Sequence, residues 1–83
     1  MKRVVYRKQA LKVLRRLSPK LRSQIEGKIS DHAAGRFVDI THLLGRRGYC
    51  RIRCGGWRVI VEDKASEVEV VKIAPRGDAY KGS

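Results

Sequence analysis

The chain has 83 residues, of which 20 are Lys or Arg and eight are Asp or Glu, so its formal net charge is +12. This length fits one small domain with a single, marginally stabilising core, and it excludes a second domain. The strong positive charge opposes compaction and favours a polyanionic partner, either a nucleic acid or an acidic protein.

The apolar residues are too scattered for a membrane span. No run approaches the ~18 consecutive apolar residues that cross a bilayer. The basic start Met1-Lys2-Arg3 leads into only three apolar residues, 4–6, before charges resume, which is not the pattern of a secretory signal. We therefore predict a cytoplasmic protein with no membrane partner.

The first part of the chain predicts a short strand and two helices. Residues 2–6 contain Val-Val-Tyr, which is typical of a strand. From Arg7 the apolar residues recur at helical spacing, which predicts an amphipathic helix ending near Leu17. Ser18 as the cap and Pro19 at the first helical position predict a second helix that runs to about Ala34. Its expected buried stripe consists of Leu21, Ile25 and Ile29.

The opposite side of the first helix is basic. It carries Lys8, Lys12, Arg15 and Arg16. Such a face is compatible with phosphate or membrane contact, but a charge run on a helix is most often a solvated surface, and we interpret it in that way.

Gly35 closes the second helix, and residues 36–44 predict an irregular link. The apolar side chains of this link are expected to pack onto the core; they are Phe37, Val38, Ile40, Leu43 and Leu44. His42 in the link and His32 near the helix end have no partner in the sequence pattern. Both are therefore predicted to be structural or surface residues rather than catalysts.

A Gly-Gly pair lies between two runs of alternating apolar residues, 48–54 and 57–61. Because glycine tolerates the positive φ of tight primed turns, this pattern predicts a hairpin with Gly55-Gly56 at its tip. In that register Cys54 lies opposite Trp57, and Arg53 lies opposite Arg58.

Alternation gives this hairpin one apolar and one cationic face. The apolar face carries Cys50, Ile52, Cys54, Trp57, Val59 and Val61. The cationic face carries Arg51, Arg53 and Arg58, where like charges directly opposite one another cost up to about 1 kcal/mol unless an anion or solvent relieves them. Since arginine is also an ordinary residue for the solvated side of a sheet, the hairpin alone leaves surface and binding roles open.

Cys50 and Cys54 are the only cysteines. At about 3.3 Å per residue along a strand they lie about 13 Å apart, which is too far for a disulfide. No neighbouring Cys or His pair completes a zinc site, so we predict no metal and no other cofactor. Both are expected to be buried, small apolar residues.

After a turn at residues 63–66, a third long strand is predicted over 67–73, antiparallel to the one before it, and Ala74-Pro75 ends it. A polar tail with Arg76 and Tyr80 follows, in a position where loops often carry function. The order β-α-α-β-β-β predicts an α+β fold in a single domain, 1–83. Its architecture is a small twisted antiparallel sheet with both N-terminal helices packed on one face.

Several short motifs follow one another in a distinctive order. After the basic helical pair come Leu44-Gly45, Tyr49-Cys50-Arg51-Ile52-Arg53, Gly56-Trp57-Arg58-Val59-Ile60, Val71-Lys72-Ile73, Arg76 and Tyr80. In this order and spacing, over nearly the whole chain, they resemble the RelE/ParE superfamily of toxins from prokaryotic toxin–antitoxin pairs, and in particular its RelE-like branch. The family fold is a small twisted antiparallel sheet with two helices on one face, which agrees with the predicted layout.

The resemblance implies a ribosome-dependent endoribonuclease, or mRNA interferase, in which the RNA 2′-hydroxyl attacks the adjacent phosphate without a metal. The catalytic positions that it implies are Arg51, Arg53, Arg58, Arg76 and Tyr80. Guanidinium groups would stabilise the negative charge that builds on the phosphoryl oxygens, and Tyr80 would stack on a base or orient the 2′-hydroxyl. We add as candidate RNA-binding residues Arg46, Arg47, Lys72 and Lys81.

Two features depart from the RelE pattern. Arg51 and Arg53 stand where the best-known branch has lysines, and Pro75 precedes Arg76 where histidine is frequent. Because arginine does not deprotonate in proteins, the identity of the general base is open.

The alternatives are a ParE-like inhibitor of DNA gyrase, which shares the fold, and an RNA-binding module without catalysis. The resemblance further implies three partners, namely a cognate antitoxin, the ribosome and messenger RNA. In this view the toxin is a monomer within a hetero-oligomeric toxin–antitoxin complex. The high positive charge independently favours an acidic, partly disordered antitoxin.

Overall fold

The structure, a computed structural model, describes residues 1–45 and 47–75. Over these ranges the elements in chain order are β1 (Arg3–Tyr6), α1 (Lys8–Arg16), α2 (Pro19–Ala33), β2 (Ile40–His42), β3 (Tyr49–Cys54), β4 (Trp57–Asp63) and β5 (Glu67–Pro75). The strands form one sheet in the order β1-β5-β4-β3-β2. The predicted α+β class and both N-terminal helices are confirmed.

The sheet is mixed, because β1 runs parallel to β5. Arg3 is the Cα partner of Glu67, and Tyr6 is the partner of Val70. The other three pairings are antiparallel. The predicted antiparallel arrangement therefore holds for β2 to β5 and not for β1. A parallel pair needs a long crossover, and here the whole chain between β1 and β5 supplies it.

A short additional strand, β2, lies in the segment predicted as an irregular link. It pairs antiparallel with β3, and Ile40 is the Cα partner of Ile52. Three residues are too few to show the period of two by which a strand is recognised in a sequence. The link also packs differently from the prediction. Val38 is buried, but the side chains of Phe37 and Leu44 are 95% and 99% exposed, so the predicted core positions of these two residues were wrong.

The core lies between the helices and one face of the sheet. Its buried residues are Ala10, Leu14, Ile25, Ile29, Ala33, Cys50, Ile52, Cys54, Val59, Val61, Val68, Val70 and Ile73. Both cysteines are buried free thiols, which confirms their predicted role as small core residues. No helix within the described ranges is long and apolar enough to cross a membrane.

Two side chains stabilise the joint between the helices, namely the N-cap Ser18 and Arg22 of α2. The backbone N–H of Leu21 donates a 3.3 Å hydrogen bond to Ser18 Oγ, so Ser18 is the predicted N-cap. The Arg22 guanidinium donates to the carbonyl oxygens of Leu14, Arg15 and Leu17 at 3.2, 3.0 and 3.3 Å. These carbonyls lie at the C-terminal end of α1, where the helix leaves its acceptors unsatisfied and a cation is favourable.

Replacing Arg22 by Ala is expected to lower the free energy of unfolding by about 1–2 kcal/mol, because three carbonyls lose a charged donor. Urea titration followed by circular dichroism measures the change. Lys28→Ala, at an exposed position of the same helix, is the control and should change stability by less than about 0.5 kcal/mol. Equal stability of the two variants would show that Arg22 does not hold the end of α1.

Candidate functional site

The β3–β4 hairpin has the predicted register. Cys54 is the Cα partner of Trp57, and Arg53 is the partner of Arg58. Gly55 has a φ of 58°, the positive value that the turn was expected to need. The sheet face that carries these arginines is the one opposite the helices, and it is called the outer face below.

Four cationic residues lie in two neighbouring rows on the outer face. Arg53 lies beside Arg58 in one row, while Arg51 and Lys72 flank Ile60 in the next. Side chains directly opposite one another on neighbouring strands have Cβ atoms about 4.5–5.5 Å apart. Arg51, Arg53, Arg58 and Lys72 therefore form one group at the hairpin end of the sheet, which we call the cationic patch.

Arg58 is the buried member of the cationic patch, with only 4% of its surface exposed. Its Nη1 donates to the carbonyl oxygens of Gly55 and Trp57 at 3.2 and 3.1 Å, so the guanidinium is held beside the hairpin turn. These acceptors are neutral, and no ion pair among the described residues involves Arg58. A fixed, dehydrated cation of this kind is suited to binding an anion with little reorganisation.

The other members of the cationic patch are more accessible. Arg53 is exposed, and its Nη1 lies 3.9 Å from Asp39 Oδ2, which is also exposed. An exposed ion pair contributes at most about 1 kcal/mol, so Asp39 competes weakly with a polyanion. Arg51 and Lys72 are half-buried. Asp39 reaches Arg53 because β2 pairs with β3. Since β2 was not predicted from the sequence, this contact could not be predicted either.

The opposite end of the outer face is balanced in charge. Arg7 lies 2.9 Å from Glu69 and 3.5 Å from Glu62, and Lys64 Nζ lies 2.9 Å from Glu69. Hydrogen bonds from Arg7 and Lys64 lower the pKa of Glu69 to about 2, and they raise the pKa of both cations. Glu69 is therefore ionised at neutral pH and is unsuited to act as a general base.

Acid unfolding is expected to depend on Glu69. Because its folded-state pKa of about 2 lies below the usual value of 4.5, its ion pairs stabilise the fold fully above about pH 4.5. This stabilisation is lost as the pH falls toward 2. In urea titrations Glu69→Gln should make the free energy of unfolding less dependent on pH in this window. Glu26→Gln, at an exposed position of α2, is the control, and equal pH dependence in the two variants would contradict the prediction.

A polar cluster lies at the edge of the core, on the helix side of the sheet. His32 Nε2 lies 2.9 Å from both carboxylate oxygens of Asp63, and Cys50 Sγ lies 3.2 Å from His42 Nδ1. Burial, together with the nearby Asp63 carboxylate, raises the pKa of Cys50, so this residue is a thiol rather than a nucleophilic thiolate. No group of three His, Cys, Asp or Glu in the described ranges is arranged to hold a metal.

The remaining predicted site residues divide into two groups. Arg47 is exposed and lies in the turn before β3, at the end of that strand farthest from the Gly55-Gly56 turn, so it is not part of the cationic patch. Four predicted site residues lie outside the described residues: Arg46, Arg76, Tyr80 and Lys81. The last described residue, Pro75, is the Cα partner of Trp57 beside the hairpin turn.

Comparison with solved structures finds similar chains in two archaeal complexes. A RelE chain from the RelB–RelE antitoxin–toxin complex of Methanococcus jannaschii is 21% identical, with a TM-score of 0.76; the match covers 92% of this chain and 94% of that chain. One from the RelE–RelB complex of Pyrococcus horikoshii OT3 is 26% identical, with a TM-score of 0.71, and covers 92% and 96%. Neither a protein-family model nor a curated protein matches the sequence.

Proposed function

We propose that this chain, whose fold is that of the RelE toxins, is the toxin of a toxin–antitoxin pair and cleaves messenger RNA on the ribosome. The observation that supports the proposal most directly is the cationic patch, with a buried arginine fixed at its centre and cations on the strands around it. Because one fold hosts several activities, the chemistry of this site and not the fold carries the argument.

In the proposed reaction the RNA 2′-hydroxyl attacks the adjacent phosphorus, and the bond to the 5′-oxygen of the next nucleotide breaks. The products are a 2′,3′-cyclic phosphate and a free 5′-hydroxyl, so the hydroxyl proton passes from one oxygen to the other overall. Negative charge builds on the phosphoryl oxygens in the transition state, and Arg58 is positioned to stabilise it. Arg51, Arg53 and Lys72 would bind the neighbouring phosphates.

The described residues narrow the choice of general base. His32 and His42 contact Asp63 and Cys50 on the helix side of the sheet, away from the cationic patch. Glu69 is held as a carboxylate of low pKa by Arg7 and Lys64. We propose that Arg76 and Tyr80 complete the site, as the family resemblance implies, and that orientation of the 2′-hydroxyl with charge stabilisation supplies most of the rate.

The proposed partner is an acidic antitoxin that covers the cationic patch. Both similar structures are complexes of RelE with RelB. A net charge of +12 favours such a partner, because complementary charge raises the rate at which the two proteins associate. An acidic antitoxin would also compete with RNA for the same cations.

The test is a cell-free translation reaction in which the 5′ ends of messenger fragments are mapped by primer extension. Wild-type protein should cut only translated messages, and Arg76→Ala and Tyr80→Ala should abolish the cuts. Lys28→Gln, which removes one exposed charge outside the site, should leave them unchanged. Intact messages together with inhibited gyrase supercoiling would overturn the nuclease in favour of a ParE-like toxin. No effect in either assay would also overturn it and leave an RNA-binding module or a degenerate toxin.

A further inference from the structure

A second cationic surface lies on α1. Lys8, Lys12, Arg15 and Arg16 are all exposed and follow one another at helical spacing on the side opposite the buried residues of this helix. They line a shallow hollow together with the half-buried Leu11. We call these four cations the α1 cationic face.

Several cations elsewhere in the protein are paired with carboxylates. Arg3 contacts Glu67 at 3.2 Å, and Arg36 contacts Asp31 at 3.2 Å. Within the described residues no carboxylate pairs with any of the four side chains of the α1 cationic face. α1 itself contains no acidic residue.

This arrangement is electrostatically unfavourable in the free protein. Lys8 and Lys12 are four residues apart, as are Lys12 and Arg16, and like charges at this spacing repel. Lys8 is also the first residue of α1, the positive end of the helix dipole, and the first turn has no acid to offset it. The dipole favours only Arg15 and Arg16, in the last turn. The helix dipole therefore offsets the repulsion for two of the four cations and not for the other two.

We propose that the α1 cationic face binds the phosphate backbone of double-helical RNA and is separate from the cationic patch. The helices cover the sheet face opposite the cationic patch, so the two cationic surfaces point to opposite sides of the molecule. One surface is free to hold structured RNA while the other holds a single strand. The choice of RNA over DNA rests on the proposed function.

The shape and chemistry of the surface favour a nucleic acid over a protein. The four cations extend over about 12 Å of helix axis, at about 1.5 Å per residue, which suits a row of backbone phosphates. Protein interfaces are centred on buried apolar or aromatic anchors, whereas this surface offers only Leu11, itself half-buried.

The test measures affinity for a hairpin RNA with a stem of about 16 base pairs by fluorescence anisotropy at several salt concentrations. Lys12→Gln/Arg16→Gln is compared with Lys28→Gln/Arg36→Gln, which has the same net charge but alters exposed positions away from α1. The α1 variant should bind about tenfold more weakly at low salt, and its salt slope should fall by about two. The control should bind within about twofold of wild type.

Equal weakening of both variants would overturn the proposal, because net charge alone would then explain binding. Unchanged hairpin affinity, with lost binding of a poly-glutamate probe, would assign the surface to an acidic protein instead. Equal losses on a DNA duplex of the same sequence would overturn the choice of RNA. Melting without nucleic acid is the structural control: the α1 variant should unfold at or above the wild-type temperature, and a large decrease would contradict the argument from repulsion.

This experiment does not depend on cleavage. If wild-type protein leaves translated messages intact while the α1 variant alone loses hairpin affinity, the proposed nuclease fails and the second nucleic-acid surface stands, and the DNA duplex then decides between RNA and DNA. If messages are cut and both variants bind the hairpin like wild type, the nuclease stands and the second surface fails.

Discussion

Replacing Arg58 by Gln is expected to slow cleavage of translated messages by about 10²- to 10³-fold, the usual effect of removing one fixed donor to a developing oxyanion. The guanidinium is buried and held by the carbonyls of Gly55 and Trp57, so no other side chain of the cationic patch can take its place without moving. The measurement is the rate of appearance of primer-extension products at saturating ribosome concentration, well below the melting temperature.

Arg53→Gln is the matched control, because Arg53 is the Cα partner of Arg58 but is exposed. It should weaken RNA binding and lower the salt slope by about one, with little effect on the saturated rate. Arg58→Gln also removes a donor from two carbonyls and should lower the free energy of unfolding by about 1–3 kcal/mol. Arg58→Lys keeps the charge but not the planar fork, and a wild-type rate in this variant would contradict the role of the fixed guanidinium.

The largest effect on stability is expected for Ile52→Ala. Ile52 is fully buried in β3, between its partners Ile40 in β2 and Val59 in β4. Truncating a buried isoleucine to alanine costs about 2–5 kcal/mol, a large part of the roughly 5–10 kcal/mol that a domain of this size possesses. Urea titration should therefore show an unfolding midpoint at a much lower urea concentration than that of the wild type.

Ile52→Val is the control for the volume removed and should cost only about 0.5–1.5 kcal/mol. A loss below about 1 kcal/mol in Ile52→Ala would show that the space collapses and that the hairpin is not held by this contact. Because β3 carries both Arg51 and Arg53, the alanine variant should lose its RNA binding in the same urea range in which it loses its folded structure.

The hairpin was predictable because its information is local. Glycine supplies the positive φ of the turn, and the alternation on both sides assigns each residue to a face, so the pairing of Arg53 with Arg58 follows directly. The N-cap at Ser18 and the proline after it are local in the same way. These local features were enough to predict the α+β class and the positions of three members of the cationic patch, Arg51, Arg53 and Arg58.

What escaped prediction depends on residues far apart in the chain. No local sequence pattern indicates that β1 pairs with β5, and β2 is too short to show the alternation of apolar and polar residues that marks a strand. Alternation places Arg58 on the outer face, but its burial depends on what surrounds it. The contact of Arg22 with the end of α1 joins two helices. A bulge near Val61 shifts the register of β4 against β5, so both Val70 and Ile73 are buried despite their odd spacing.

The charge-balanced end of the outer face also affects how the protein meets a partner. Three of its carboxylates, those of Glu62, Glu67 and Glu69, are gathered near the start of β5, so the net charge of +12 is concentrated elsewhere. Positive charge is therefore unevenly distributed over the surface. An approaching polyanion is attracted to the cationic surfaces and not to this charge-balanced end, which raises the rate of productive encounters. This orienting field weakens as ionic strength rises, because the Debye length is only about 8 Å at physiological salt.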